Sequence, residues 1–237
     1  MPKPPRPWTV LPHGPLERIE DNLYAVESAV PGIAGLRRRM AIIRRSDGGL
    51  LFFNAVPVSE EALASIRALG NPAMLVVPQH LHMIDAGAFR ERLGVRVYAP
   101  SATRDLVAER VTVDGTFEDI PADPAVSVRT VAGFKTEEGM ALVRSSDRLS
   151  LVVADLVLNV PNGPGIRGLL FRVLGLTGDR PKLPTAVRLR VLRDAGALRA
   201  QLEELARMPN LTRIVLSHGP NVDRDPASVL RAVAASL

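Results

Sequence analysis

Cysteine is missing from all 237 residues. Its absence excludes disulfides, thiolate nucleophiles, cysteine-ligated zinc and iron–sulfur clusters. Aromatic residues are scarce, with six Phe, two Tyr and one Trp. Together with only four His, they leave little material for stacking on nucleobases. Lysine is confined to Lys3, Lys135 and Lys182, so the net charge of +5 rests on arginine. Those arginines cluster only at Arg37, Arg38 and Arg39 and at Arg44 and Arg45. A nucleic-acid footprint needs a gathered basic face, so nucleic acid is not the expected partner. No run approaches the ~18 uninterrupted apolar residues of a membrane span. The start, Met1 to Pro7, has four prolines and no apolar core of a secretory signal, which makes the cytoplasm the expected location.

What is present is a chain of 46% hydrophobic residues, long enough for one substantial core. The proline-rich stretch 1–15 is predicted to be an irregular arm, and residues 16–237 a single domain. Leu23 to Val26 and Met40 to Arg44 are predicted strands. Gly48 and Gly49 form a hairpin turn into a third strand, Leu50 to Asn54. Ser59 opens a helix that Gly70 closes. Met74 to Val77 is a short continuous apolar run, as expected of a strand buried on both faces. Asp85 falls at the N-cap of a predicted helix, Ala86 to Leu93. A strand, 95–99, and a helix, 101–109, follow. The second half offers strands at 126–131, 140–143, 149–154 and 211–216, a helix at 193–207 and a closing helix from Pro226. This order predicts two sheets packed face to face with helices outside, an α/β four-layer αββα sandwich.

Polar residues stand just beyond the ends of three predicted strands: His80 and His82, Asp155, and His218. Strand ends are where such folds gather ligand groups. In an extended segment, residues two apart point to one side. His80 and His82 could then share a metal ion, with Asp155 and His218 completing a nitrogen and oxygen set suited to Zn, Mn or Fe. The plainer alternatives are a helix cap for Asp85, a turn for Asp155 and a turn residue in His218.

These features, in this order, resemble the metallo-β-lactamase superfamily. That family carries His-x-His-x-Asp-His, then Gly-His-Thr, then an Asp ending a strand, then a late His. Here the corresponding stretches read His80-Leu81-His82-Met83-Ile84-Asp85-Ala86, Gly133-Phe134-Lys135-Thr136, Ala154-Asp155 and Ser217-His218-Gly219. The resemblance runs from about Glu17 to Val222, and it departs at several positions. Asp85 is one place late, Ala86 replaces a His, Phe134 stands where a third imidazole is expected, and Asn54 stands where many members have Asp. The resemblance implies metal-assisted hydrolysis of a small molecule at a reduced metal site, with His80, His82, Asp155 and His218 as ligands and Asp85, or else Asp155, as catalytic proton acceptor. An inactive member that binds a small molecule or a protein is the alternative. It further implies that Phe134 fills the space of the absent imidazole beside His80 and His82. An ordinary core Phe is the competing reading. The segment from Asn159 to Pro184, with its apolar stretch Leu169 to Leu176, is expected to be a lid or a packed surface loop.

Overall fold

In the computed structural model, which describes residues 6–237, the first half of the chain is hairpins followed by parallel crossovers. Strands β1 (Glu17–Glu20), β2 (Leu23–Val30), β3 (Ile33–Arg44) and β4 (Gly49–Phe53) pair antiparallel in sequence order. Gly48 makes the β3–β4 turn at φ 83°, a conformation that favours glycine. Helix α1 (Glu60–Arg67) begins where the Ser59 hydroxyl accepts the Ala62 N–H at 3.3 Å. It leads to β5 (Asn71–Val76), α2 (Ala86–Leu93), β6 (Arg96–Ala99), α3 (Arg104–Ala108) and β7 (Gly115–Thr116), and these strands extend the sheet in parallel. The seven strands lie in the order β1 to β7.

The second half forms a smaller sheet. β8 (Val126–Thr130), β9 (Gly139–Ser145) and β10 (Arg148–Val153) pair antiparallel. Helices α4 (Gly165–Val173), α5 (Thr185–Val191) and α6 (Ala195–Ala206) precede β11 (Leu211–Leu216), which joins β10 in parallel, and α7 (Pro226–Ala235) ends the chain. The order is β11-β10-β9-β8.

Alternation along the strands sorts the side chains into three apolar layers. Ile42, Leu50, Phe52, Leu75 and Val97 face outward and pack on Leu63, Ile66, Phe89 and Val107 of α1, α2 and α3. Their neighbours Ile43, Leu51, Phe53, Met74 and Val76 face inward and meet Val143, Val152 and Val215 of the other sheet. On the far side of that sheet, Leu149, Leu151, Ile214 and Leu216 pack on Leu198, Leu202, Leu230 and Val233 of α6 and α7. The result is the expected four-layer αββα sandwich.

The differences from expectation are local. β2 and β3 run on past the apolar stretches into the arginine-rich hairpin, where Arg37 and Arg39 both pair with Glu27. Apolar periodicity cannot reveal strand residues that are held by charge. The stretch 101–109 splits into a 3-10 turn, Ser101–Thr103, and α3. Residues 1–5 of the expected arm lie outside the described residues, and residues 6–15, which form no helix or strand beyond a bridge from His13 to Ser28, are fastened to the domain. The Trp8 indole N–H donates to Val58 O at 3.0 Å and its ring stacks on Phe89. His13 Nε2 accepts from Ser59 N–H at 3.0 Å.

Candidate metal centre

Three of the predicted ligands converge at one edge of the sandwich. His82 ends the turn that follows β5, Asp155 follows β10, and His218 follows β11. The adjacency of β10 and β11 in parallel brings the last two together, and the packing of sheet on sheet brings His82 to them. Asp155 Oδ1 lies 3.6 Å from His82 Nε2 and 3.5 Å from His218 Nε2. The two imidazole centroids are 5.5 Å apart. One ligand atom from each of the three lies within 4.8 Å of the others, the one such group of His and carboxylate residues among the described residues.

His80 lies outside this group. The segment is not extended: His80–His82 forms a turn of 3-10 helix, in which residues two apart point in different directions. The shared-side argument for the pair therefore fails. His80 instead lines a cavity of about 330 Å³ with Leu81, Met83, Ile84, Arg6 and Arg110. Its Nδ1 is buried without a hydrogen-bond partner. Burial lowers its proton affinity, and the charges of Arg190 and His82 lower it further.

The three clustered groups are held from behind. His218 Nδ1 lies 2.6 Å from the Arg37 carbonyl oxygen. That oxygen can only accept, so Nδ1 carries the proton and Nε2 presents a lone pair toward Asp155. Burial lowers the His218 pKa, although Asp155 opposes this. The Gln79 amide donates to Asp155 Oδ2 at 2.6 Å, leaving Oδ1 to face the imidazoles. Burial pushes the Asp155 carboxyl up, but His82 and His218, with Gln79, hold it at about 2. Behind it, Glu138 Oε1 accepts the backbone N–H groups of Ala154, Asp155 and Leu156 at 2.9–3.2 Å. Burial, then the Asp155 charge, push the Glu138 carboxyl up to about 8. Two neighbouring carboxyl groups are thus driven apart, Asp155 downward and Glu138 upward.

Asp85 does sit at the N-cap position of α2, but its side chain makes no capping bond. It is buried, and Arg38 donates to its Oδ2 at 2.5 Å. Phe134 bridges to Leu192 and packs in the core of the second sheet with Met140, Leu156 and Leu198. That placement is the core reading of this residue. Asn54 is buried at φ 71°, with its amide donating to the Arg39 carbonyl and its Oδ1 accepting the Ala55 N–H, so it shapes the turn after β4. Sequence reasoning missed Arg38, Gln79 and Glu138. Only Gln79 carried a signal, its place one residue before the His80 turn.

The donor set fits a metal ion. Two imidazole nitrogens and a carboxylate oxygen are ordinary ligands of Zn, Mn or Fe. Bonds of ~2.1 Å in a tetrahedron put neighbouring ligand atoms about 3.4 Å apart, close to the 3.5 and 3.6 Å found here. Three protein ligands leave a position open.

No family model matches the chain, and no curated protein matches it. Solved structures do. The chain is similar to the DIM-1 metallo-β-lactamase, with a TM-score of 0.65 at 14% identity over 96% of this chain and 99% of that one. It is similar to TMB-1, with a TM-score of 0.63 at 13% identity over 93% and 96%. A metallo-β-lactamase from Pontibacter korlensis matches with a TM-score of 0.61 at 18% identity over 94% and 99%. The chain has the metallo-β-lactamase fold.

Proposed function

We propose that this protein is a metal-dependent hydrolase-like protein that acts on a small molecule and holds one divalent cation on His82 Nε2, Asp155 Oδ1 and His218 Nε2. The observation that carries this reading is the spacing of those three atoms, with His218 fixed in the tautomer that a metal requires. A bound Zn, Mn or Fe ion there would supply an acidic water and polarise a carbonyl or phosphoryl oxygen.

The chain's own residues arrange the site. β3 clamps both histidine-bearing loops: the Arg37 carbonyl holds His218, and the Arg38 guanidinium holds Asp85, three residues after His82. Asp85 is the proton acceptor that the resemblance implies. Its buried carboxylate is taken up by the Arg38 guanidinium, so its proposed part is to position the His82 loop. Gln79 and Glu138 fix the side chain and the backbone of Asp155. The second reading, an inactive member binding a small molecule or protein through the same cleft, draws its support from His80 lying outside the cluster.

Metal content separates the two. Protein from cells supplied with zinc, manganese and iron should carry close to one equivalent of metal. His218→Ala and Asp155→Ala should lose it, while His80→Ala should keep it. Less than about a tenth of an equivalent in the unaltered protein would sink the metal reading. Loaded protein should then hydrolyse at least one substrate in a panel of esters, lactones and phosphodiesters, with the activity lost in His218→Ala.

A further inference from the structure

Helix α4 is seated the wrong way round for a core helix. Its inward face carries Gly168, which is buried and whose Cβ, if it had one, would overlap the Gly163 carbonyl oxygen. Phe171 is half-buried on that side, and Gly175 beyond the helix end is buried. Its outward face carries Ile166, Leu169, Leu170 and Val173, spaced i, i+3, i+4, i+7, which are 89%, 61%, 52% and 75% exposed. An amphipathic helix of a globular domain places that stripe on the core. Here the smallest residues make the contact and the largest apolar ones meet water. Leu174 and, on α5, Leu189 add to the exposed set. Six of the eleven exposed large apolar side chains among the described residues therefore fall in α4, α5 and the link between them. A concentration of this kind marks an interaction surface rather than the ordinary scatter of exposed leucines.

The charge around this face narrows the partner. Between Asn159 and Arg193 the sequence holds six Arg and one Lys against a single acidic residue, Asp179. Arg172 and Arg190 are exposed within the two helices. Exposed apolar side chains on a short helix, flanked by arginine and almost free of carboxylates, suit the boundary of an anionic bilayer, where apolar groups enter the acyl region and guanidinium groups meet phosphate. No helix among the described residues is long and apolar enough to cross a membrane, so the contact is peripheral. Leu81 and Ile84, on the loop that carries His82, are exposed as well.

We infer that α4 and α5 dock this protein on anionic lipid bilayers, with Ile166, Leu169, Leu170, Val173 and Leu189 entering the interface and Arg172 and Arg190 contacting headgroup phosphates. The inference stands apart from the metal reading, because binding to vesicles is measured without turnover. The experiment is co-sedimentation of the full chain with vesicles of phosphatidylcholine, with and without phosphatidylglycerol. The protein should pellet with the mixed vesicles, much less with phosphatidylcholine alone, and less as salt rises. Ile166→Ser with Leu169→Ser and Val173→Ser should weaken binding by at least about tenfold, and Arg172→Glu with Arg190→Glu should weaken it comparably. These side chains lie at the surface, so the variants should keep the circular dichroism of the unaltered protein. Ile166→Ser alone serves if the triple variant fails to fold. No binding of the unaltered protein to the mixed vesicles overturns the inference, as does equal binding by the serine variant. A dimer in sedimentation velocity that the serine variant abolishes, without vesicle binding, overturns it in favour of a second copy of this chain.

Discussion

Gln79 fixes which oxygen of Asp155 is free. Its amide takes Oδ2 at 2.6 Å, so Oδ1 is the atom that meets both imidazoles. Outer hydrogen bonds of this kind orient a ligand and tune its basicity. Gln79→Leu should leave the fold intact and lower zinc affinity by about 10–100-fold. Isothermal titration with zinc checks it, and unchanged affinity would show that Asp155 is oriented by something else. A second residue, Asp123, acts at a distance from the site. Its Oδ2 accepts the Ser46 hydroxyl at 2.6 Å and the Ser46 N–H at 3.0 Å, and its Oδ1 accepts the Ala125 N–H at 2.8 Å. These bonds tie the β3–β4 hairpin to the start of β8. Burial pushes the carboxyl up, but the Ser46 hydroxyl and the two N–H groups pull it below its ordinary value. A lowered carboxylate pKa contributes stability above the ordinary value near 4 and loses it as pH falls through the lowered one. Asp123→Ala should therefore cost about 1.5–3 kcal/mol in urea denaturation at neutral pH, the range for bonds to a charged group. In acid, as pH falls through that lowered value, the difference between the variant and the unaltered protein should shrink toward zero. An equal difference at both pH values would assign the effect to packing.

Among the elements, α6 shows how a loop and a helix start are matched. Asp194 caps it by accepting the Ala197 N–H at 2.9 Å. Gly133, just after β8, receives the Arg193 and Asp194 N–H groups on its carbonyl at 2.8 and 3.1 Å. It does so at φ 79°, and a Cβ there would overlap the Asp194 carbonyl oxygen. Any other residue meets both backbone strain and a clash. Gly133→Ala should lower stability by at least about 1–3 kcal/mol, read as a shift of the urea midpoint with an unchanged slope. The same contact explains Phe134. With Gly133 locked on α6, the next side chain enters the core under the second sheet. The same core cluster draws Met140 from β9, Leu156 from the loop after β10 and Leu198 from α6.

Across the whole molecule, the inter-sheet core belongs to neither half of the chain. Phe53, Val76 and Tyr98 from the first sheet pack on Val143, Val152 and Val215 from the second. Arg39, on β3, donates to the Leu216 and Gly219 carbonyls of the last strand and its loop. We propose that residues 16–237 form a single domain and unfold as one unit. A single cooperative transition with coincident fluorescence and circular dichroism is the expected result, and two separated transitions would divide the chain. The candidate ligands come from both sheets, so under the proposed function a metal ion would bind the folded state and stabilise it. Zinc at 100 times its dissociation constant should add about 2.7 kcal/mol to stability. The unaltered protein should show that shift and His82→Ala should not.

Several things were written in the chain itself. The apolar runs 74–77, 149–154 and 211–216 and the cap at Ser59 depend on neighbours in sequence, so hydrophobic period and cap chemistry revealed the strands, the helices and their layering. The positions of His82, Asp155 and His218 at strand ends were legible for the same reason. Local period is silent on which ligand atoms meet. Whether His80 joined His82 turned on the backbone between them, and a 3-10 turn sent the two apart. Arg38, Gln79 and Glu138 find their partners 47, 76 and 16–18 residues away. No spacing rule links residues so separated. Only the closing of one sheet over the other put a carboxylate between two imidazoles, and only the tertiary structure left the apolar face of α4 with nothing among the described residues to cover it.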